Sequence, residues 1–169
     1  MTIYMTSGTP EFMESLKEKY AAEGLIAMHG QGNSLLLHET AGKTVFQTPR
    51  RYEVIGSSGS LSENGYFVFN NIPVTDEGRP VFEHRFKDRA GAIESEPGFI
   101  AFRLLRPLDS DTYIVMTEWS ESTYYTRWKN SSSFDKAHSS NRADAGVDNT
   151  PHIFSSAPYV TTYTTKDKN

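Results

Sequence analysis

Short apolar runs alternate with polar punctuation along the whole chain, and their periods predict an α+β protein with many strands and few helices. Ile3 to Thr6 reads as a strand. Pro10 then stands at a helix start, with Ser7 or Thr9 able to cap it, and Phe12, Leu16 and Tyr20 recur on one helical face. Gly24 stops that helix. LIAMHG and SLLLHET are predicted strands joined by the turn residues Gly30 to Asn33, and TVFQTP and YEVIG are predicted as two more. The small, polar stretch Ser57 to Gly65 divides the chain. It gives an expected N-terminal α+β extension over residues 1–62 and a second domain over residues 63–169.

The second half opens with YFVFNNIPVT, a strand rich in aromatic and branched residues. Pro80 begins a helix whose apolar side carries Val81, Phe82 and Phe86, with Arg85 alongside. FIAFRLLRPL and TYIVMTEW form a predicted hairpin across the turn LDSDT, whose Asp and Ser side chains favour such a bend. Ser120 can cap a helix carrying Tyr124, Tyr125 and Trp128; a second short helix carries Phe134, Ala137 and His138. The polar stretch SSNRADAGVDNTP reads as a loop, and APYVTTYTTK closes the chain as a strand. Strand, helix, strand, strand, helix, strand is the ferredoxin-like βαββαβ order. The first half echoes it without an obvious second helix.

Composition narrows the classes. A net charge of −4 and a pI near 5.7 argue against the broad basic face of a nucleic-acid binder. Cysteine is absent, so no disulfide framework or thiolate metal site exists, and a reducing cytoplasm is acceptable. No apolar run approaches the ~20 residues needed to span a membrane, and the first residues lack the pattern of a signal peptide. A soluble cytoplasmic protein is expected.

Few residues suggest chemistry. RWKNSSSFDKAH places Trp128 and His138 around a polar break. In one unbroken helix, ten steps of ~100° would leave the two about 80° apart in azimuth and ~15 Å apart along the axis. His138 is either a ligand directed into an apolar pocket, on the same helical face as Phe134, or a cation favoured at a helix C-terminus. Trp128 is either a pocket wall or an aromatic packed on the sheet. Asn70 and Asn71 interrupt an otherwise good strand, as a bulge before Pro73 or as a polar group aimed into a pocket. His29, His38, His84 and His152 make no ligand spacing. Glu39, Glu118 and Glu121 make no clear acid/base pair, and Arg79, Arg85 and Arg89 read as a solvated helix face. There is no Walker loop and no GxGxxG.

Three stretches, NNIPVTDEGRPVFEHRFKDRAG, EPGFIAFRLLRPLDSDTYIVMTEW and W…SSSFDKAH, resemble the IsdG-type haem-degrading monooxygenases of the antibiotic-biosynthesis-monooxygenase group, over residues 65 to 165. The whole chain is similar to the branch in bacilli and listeria that carries an extra N-terminal part. The resemblance implies an Asn/Trp/His triad. His138 matches the haem iron ligand by the F-x2-A-H pattern, and Trp128 matches the tryptophan by its spacing to that histidine. The asparagine is Asn70 or Asn71: Ile72 two residues on, on the same strand face, favours Asn70, and counting back from Gly78 favours Asn71. His138 would hold the iron, Trp128 would press on the porphyrin face, and Asn70 would donate a hydrogen bond in the distal pocket.

The implied activity is opening of the porphyrin ring with O2 and electrons from an external reductase or reductant, releasing iron. The rivals are a haem carrier without turnover and a cofactor-free monooxygenase acting on an aromatic small molecule. Members without the extension form dimers whose sheets pack face to face into a barrel. The N-terminal part is therefore expected to stand in for the second subunit, giving a dimer-like β-barrel in a monomer with one haem. No nucleic-acid or membrane partner is expected.

Overall fold

The computed structural model describes residues 1–86, 93–131 and 153–165. In chain order the elements are β1 (Thr2–Gly8), α1 (Pro10–Lys19), β2 (Ile26–His29), β3 (Ser34–Thr40), β4 (Arg50–Ser58), β5 (Tyr66–Pro73), α2 (Arg79–Phe86), β6 (Phe99–Pro107), β7 (Thr112–Trp119), α3 (Ser122–Lys129) and β8 (Tyr159–Thr164). The eight strands close into one antiparallel barrel, ordered β1-β3-β2-β8-β5-β7-β6-β4. Read across each half, the order is β4-β1-β3-β2 and then β8-β5-β7-β6. Both are fourth, first, third, second, the ferredoxin-like arrangement expected for the second half and echoed by the first.

Local chemistry explains most of the elements. Thr9 caps α1 by accepting from the Phe12 N–H at 3.2 Å, and Pro10 occupies the first helical position. Gly24 takes the left-handed conformation, φ 69°, that turns the chain into β2. The buried stripe of α1 is Met13, Leu16 and Tyr20, at i, i+3 and i+7. Phe12, expected on that face, is 59% exposed. On α2 the inward residues are Phe82 and Phe86, while Val81 faces out. TVFQTP, expected as a strand, forms no regular element: residues 41–49 cross the outside of the first sheet, where Val45 and Phe46 pack with Met13, Leu25 and Leu36. Burial on a helix-covered face satisfies those side chains without a ladder.

Each sheet has two faces to cover. The inner faces pack on one another, with Ile3, Met28 and Leu37 from the first half against Phe67, Phe69 and Met116 from the second. At ~1.5–3 kcal/mol for each such side chain, this interior dominates the stability. The halves are also sewn together at two seams. β4 pairs with β6 from Tyr52↔Pro107 to Ser58↔Phe102, and β2 meets β8 at His29↔Thr164. Arg103 of β6 crosses inside the barrel to Glu39 of β3 at 2.6 Å, and also donates to the Ser58 and Gly59 carbonyls. On the outside Arg106 joins Glu83 of α2 and Glu53 of β4, and the Tyr113 hydroxyl donates to Glu83. No helix among the described residues is long and apolar enough to cross a membrane.

Glu118 is a buried carboxyl at the barrel mouth, with no exposed surface. It accepts from the Ser62 N–H at 2.8 Å and from the Ser62 hydroxyl at 2.6 Å, so it holds the connector between the halves. Burial pushes its pKa up from the ordinary 4.5, against the lowering effect of the Ser62 bonds and Arg103. A raised carboxyl stabilises the fold in its protonated form. Its contribution is complete below the unfolded pKa and is lost as pH rises through the folded one. Glu118→Gln is therefore expected to raise stability at neutral pH and to flatten the stability profile just above pH 4.5, measured by urea unfolding across pH.

Candidate active site

Strand parity decides where the two asparagines go. On β5, Phe67, Phe69 and Asn71 face the barrel interior, while Tyr66, Val68, Asn70 and Ile72 face the helices. Asn71 is buried, and its amide is spent on structure: it donates to the Phe69 and Tyr159 carbonyls at 3.2 Å and to the Thr161 hydroxyl at 3.1 Å. Asn70 is half-buried on the outer face, between Val115 of β7 and Val160 of β8, and Val160 is 55% exposed. Its neighbours on that face belong to two apolar clusters. Ile72 packs with Phe82 of α2, and Val68 packs with the aromatic group that includes Trp128 of α3. Among the described residues, Asn70 thus lies on a partly exposed strip of sheet between the two helices.

Trp128 is the wall at the α3 end of that strip. Its ring sits 5.6 Å from Trp119 at 34°, and 6.2 Å from Tyr125 at 43°. It also borders a cleft with Glu96, Pro97, Tyr124 and Arg127 at the end of the helix. α3 starts after Glu121, which offers no side-chain cap. Ser120, expected to cap it, instead donates its N–H to the Gly98 carbonyl at 2.8 Å. The helix ends as the polar break requires: the Ser131 N–H and hydroxyl both donate to the Trp128 carbonyl, at 3.0 and 2.6 Å. His138 lies outside the described residues, as do His152, Arg89 and the short helix expected around Phe134.

Several arrangements were not legible in the sequence. Trp119 is fully buried and donates its indole N–H to the Thr117 hydroxyl at 2.9 Å. Its spacing from Trp128 carried no signal, because a strand-end tryptophan reads as ordinary core. Glu14, His29 and Ser34 line up across α1, β2 and β3. Ser34 Oγ lies 2.7 Å from His29 Nδ1, and Glu14 Oε2 lies 2.9 Å from Nε2. With Ser34 only 1% exposed, that line ties the helix to the hairpin and offers no accessible nucleophile. His38 is also buried, bonded to the Thr44 hydroxyl at 2.9 Å, and burial lowers its pKa. Glu39 and Glu118 face the barrel interior, while Glu121 precedes α3, so they form no acid/base pair. Arg79 and Arg85 stay with α2, where Arg79 lies over the Tyr113 ring and donates to the Pro107 carbonyl. Among the described residues no group of three or more His, Asp or Glu side chains could hold a metal.

With this geometry in view, comparison with known proteins is informative. Residues 65–140, which include Asn70, Trp128 and His138, match the family model of antibiotic biosynthesis monooxygenases. The chain is similar to that family over this segment. Its similarity extends beyond the matched domain. A haem-degrading monooxygenase of Listeria monocytogenes is 26% identical over 129 residues, 76% of this chain and 77% of that protein. The signal transduction protein TRAP of Staphylococcus aureus strain USA300 is 28% identical over 133 residues, 79% of this chain and 80% of that protein.

Solved structures share the fold over nearly the full length. A protein described as a major regulator of staphylococcal pathogenesis superposes with a TM-score of 0.85 at 24% identity, covering 99% of this chain and 100% of that one. The haem-degrading enzyme LmHde of Listeria monocytogenes gives 0.70 at 22% identity, covering 97% and 99%.

Gly98 offers a test of how the α3 wall is held. Its φ is 80°, and a Cβ there would overlap the Tyr124 ring. Gly98→Ala is expected to cost about 2 kcal/mol or more in chemical denaturation and to weaken the near-ultraviolet signal of the aromatic cluster.

Proposed function

We propose that this protein is a haem-degrading monooxygenase whose site is the strip of outer sheet between α2 and α3. The observation that carries the reading is the placement of Asn70. It shares a strand face with the Trp128 cluster, while Asn71 is consumed inside the barrel. A polar amide on an apolar, aromatic-walled face suits a flat, largely apolar ligand that needs one directed hydrogen bond. The family match and the haem-degrading relative from Listeria support the same reading.

Haem is the substrate here; when bound it also supplies the oxygen-activating centre, with O2 and electrons from an external donor. In this reading the His138 imidazole holds the iron. Trp128 presses its ring edge and face on the macrocycle and limits the poses that fit. Asn70 would donate from its amide N–H2 to a polar atom of the bound substrate. Bound haem would cover the apolar residues around Asn70 and shield that bond from water, which would strengthen it.

Residues 1–62 are proposed to act as the partner unit and 63–169 as the haem domain. The outer face of the first half is already filled by α1 and by Val45 and Phe46, so one site per chain is inferred.

The deciding experiment is to add reductant aerobically to the haem complex and follow the Soret band. Decay with iron release supports turnover; a stable band gives a haem carrier; failure to bind haem revives the cofactor-free monooxygenase. His138→Ala is expected to weaken haem binding and abolish decay. Trp128→Phe and Asn70→Ala should keep binding and slow decay, roughly tenfold or more. Asn71→Ala should instead lower stability, because it removes buried hydrogen bonds. A decay rate unchanged in Asn70→Ala would sink the site assignment.

Light scattering of the haem complex is expected to give a particle near 19.0 kDa carrying one haem. A dimer with two haems would overturn the pseudo-dimer reading.

A further inference from the structure

The Trp128 wall stands on a helix that does little to hold itself. α3 has eight residues, none of them buried, and no side-chain cap. An isolated helix of that length is unstable in water, so its position must come from what it packs on. Its contacts converge on one group. Trp128 lies 5.6 Å from Trp119, and Tyr125 lies 6.0 Å from Trp119 and 6.2 Å from Trp128.

Trp119 is fixed where α3 is not. It is the last residue of β7, and its backbone lies between Tyr66 of β5 and Phe99 of β6. Its side chain is fully buried, its indole N–H is held by Thr117 Oγ1 at 2.9 Å, and the Phe99 ring meets it edge-on at 6.1 Å and 86°. A strand anchor, a hydrogen bond and an edge contact leave the indole plane little freedom.

We propose that Trp119 is a positioning residue: it is the fixed plate that sets the tilt of the Trp128 indole toward the substrate, with Thr117 locking the plate. The inference rests on the haem-degrading reading. It adds that the geometry of the wall is written in β7 and transferred through the Trp119 ring contacts with Trp128 and Tyr125. Thr117 and Trp119 touch no substrate and act only through Trp128. A small rotation of the plate moves the Trp128 ring, and modest misplacement of a positioning group costs rate more than affinity.

The two tryptophans of this chain are this pair, so no other indole contributes to their coupling. Circular dichroism of the haem-free protein should show an exciton couplet from two close indoles, lost in Trp119→Phe and in Trp128→Phe. Thr117→Val keeps the volume and removes the acceptor; it should alter the couplet. Thr117→Ser should restore it. In the haem complex, Thr117→Val should hold haem affinity within about twofold while kcat for haem decay falls roughly tenfold. The induced dichroism of the Soret band should change with it, and Thr117→Ser should recover both.

Thr117→Val carries the test if Trp119→Phe fails to fold. A wild-type protein that degrades haem, with couplet, Soret dichroism and kcat all unchanged in Thr117→Val, overturns this inference and leaves the proposed function standing. A wild-type protein that never degrades haem overturns both.

Discussion

A four-stranded sheet that is apolar on both faces cannot exist alone in water, and every other feature of this molecule follows from how that burden is met. The inner faces solve it mutually. Two sheets of the same strand order bury Leu37 and Met28 against Phe69 and Met116, and the edges that would otherwise be left open pair with each other. Closure is what makes the Arg103–Glu39 pair tolerable. Arg103 is withdrawn from water, but its guanidinium meets a carboxylate and three carbonyls, and each of its three nitrogens has a partner. Removing Glu39 would leave the buried Arg103 charge without its counterion, a loss of up to ~3–5 kcal/mol. The pair therefore specifies which half faces which more than it adds net stability.

The outer faces are solved differently in the two halves, and in the proposed reading that asymmetry makes room for a site. In the first half, α1 and the 41–49 segment cover the sheet, and His38 is sealed beneath Phe46. In the second, α2 and α3 take opposite ends and leave the strip around Asn70 and Val160 less covered. Among the described residues, one fold, used twice, gives a covered face and a less covered one. In the proposed reading the first half carries no ligand and can devote its interior and its exterior to packing.

How much of this could be read from the sequence depended on whether local pattern and tertiary demand agreed. The strands, the cap at Thr9, the stop at Gly24 and the break at Asn130 and Ser131 were legible because each rests on backbone chemistry within a few residues. TVFQTP was misread because its branched and aromatic residues signal burial, and burial here comes from lying over a sheet. Phe12 and Met13 are adjacent apolar residues, so periodicity could not choose which one faces in. The same degeneracy left Asn70 and Asn71 unresolved. β5 is apolar on both sides, Tyr66 and Val68 outward and Phe67 and Phe69 inward, and alternation carries no direction when both faces are buried. Register supplied it: Asn71 pairs opposite Ile114, a residue of the barrel interior.

The relatives carry two kinds of name, haem-degrading monooxygenase and signal transduction protein, on one barrel. The barrel itself cannot distinguish them, since closure and packing serve any ligand or none. The distinction must lie in side chains that closure does not need. Asn71 and Arg103 are required by the fold, so their presence says nothing about chemistry. Asn70 lies on a face where an apolar residue would pack at least as well, and Trp128 rides on a helix too short to hold itself. In the proposed reading Asn70 and Trp128 carry that distinction, because both border the same strip of sheet between the helices.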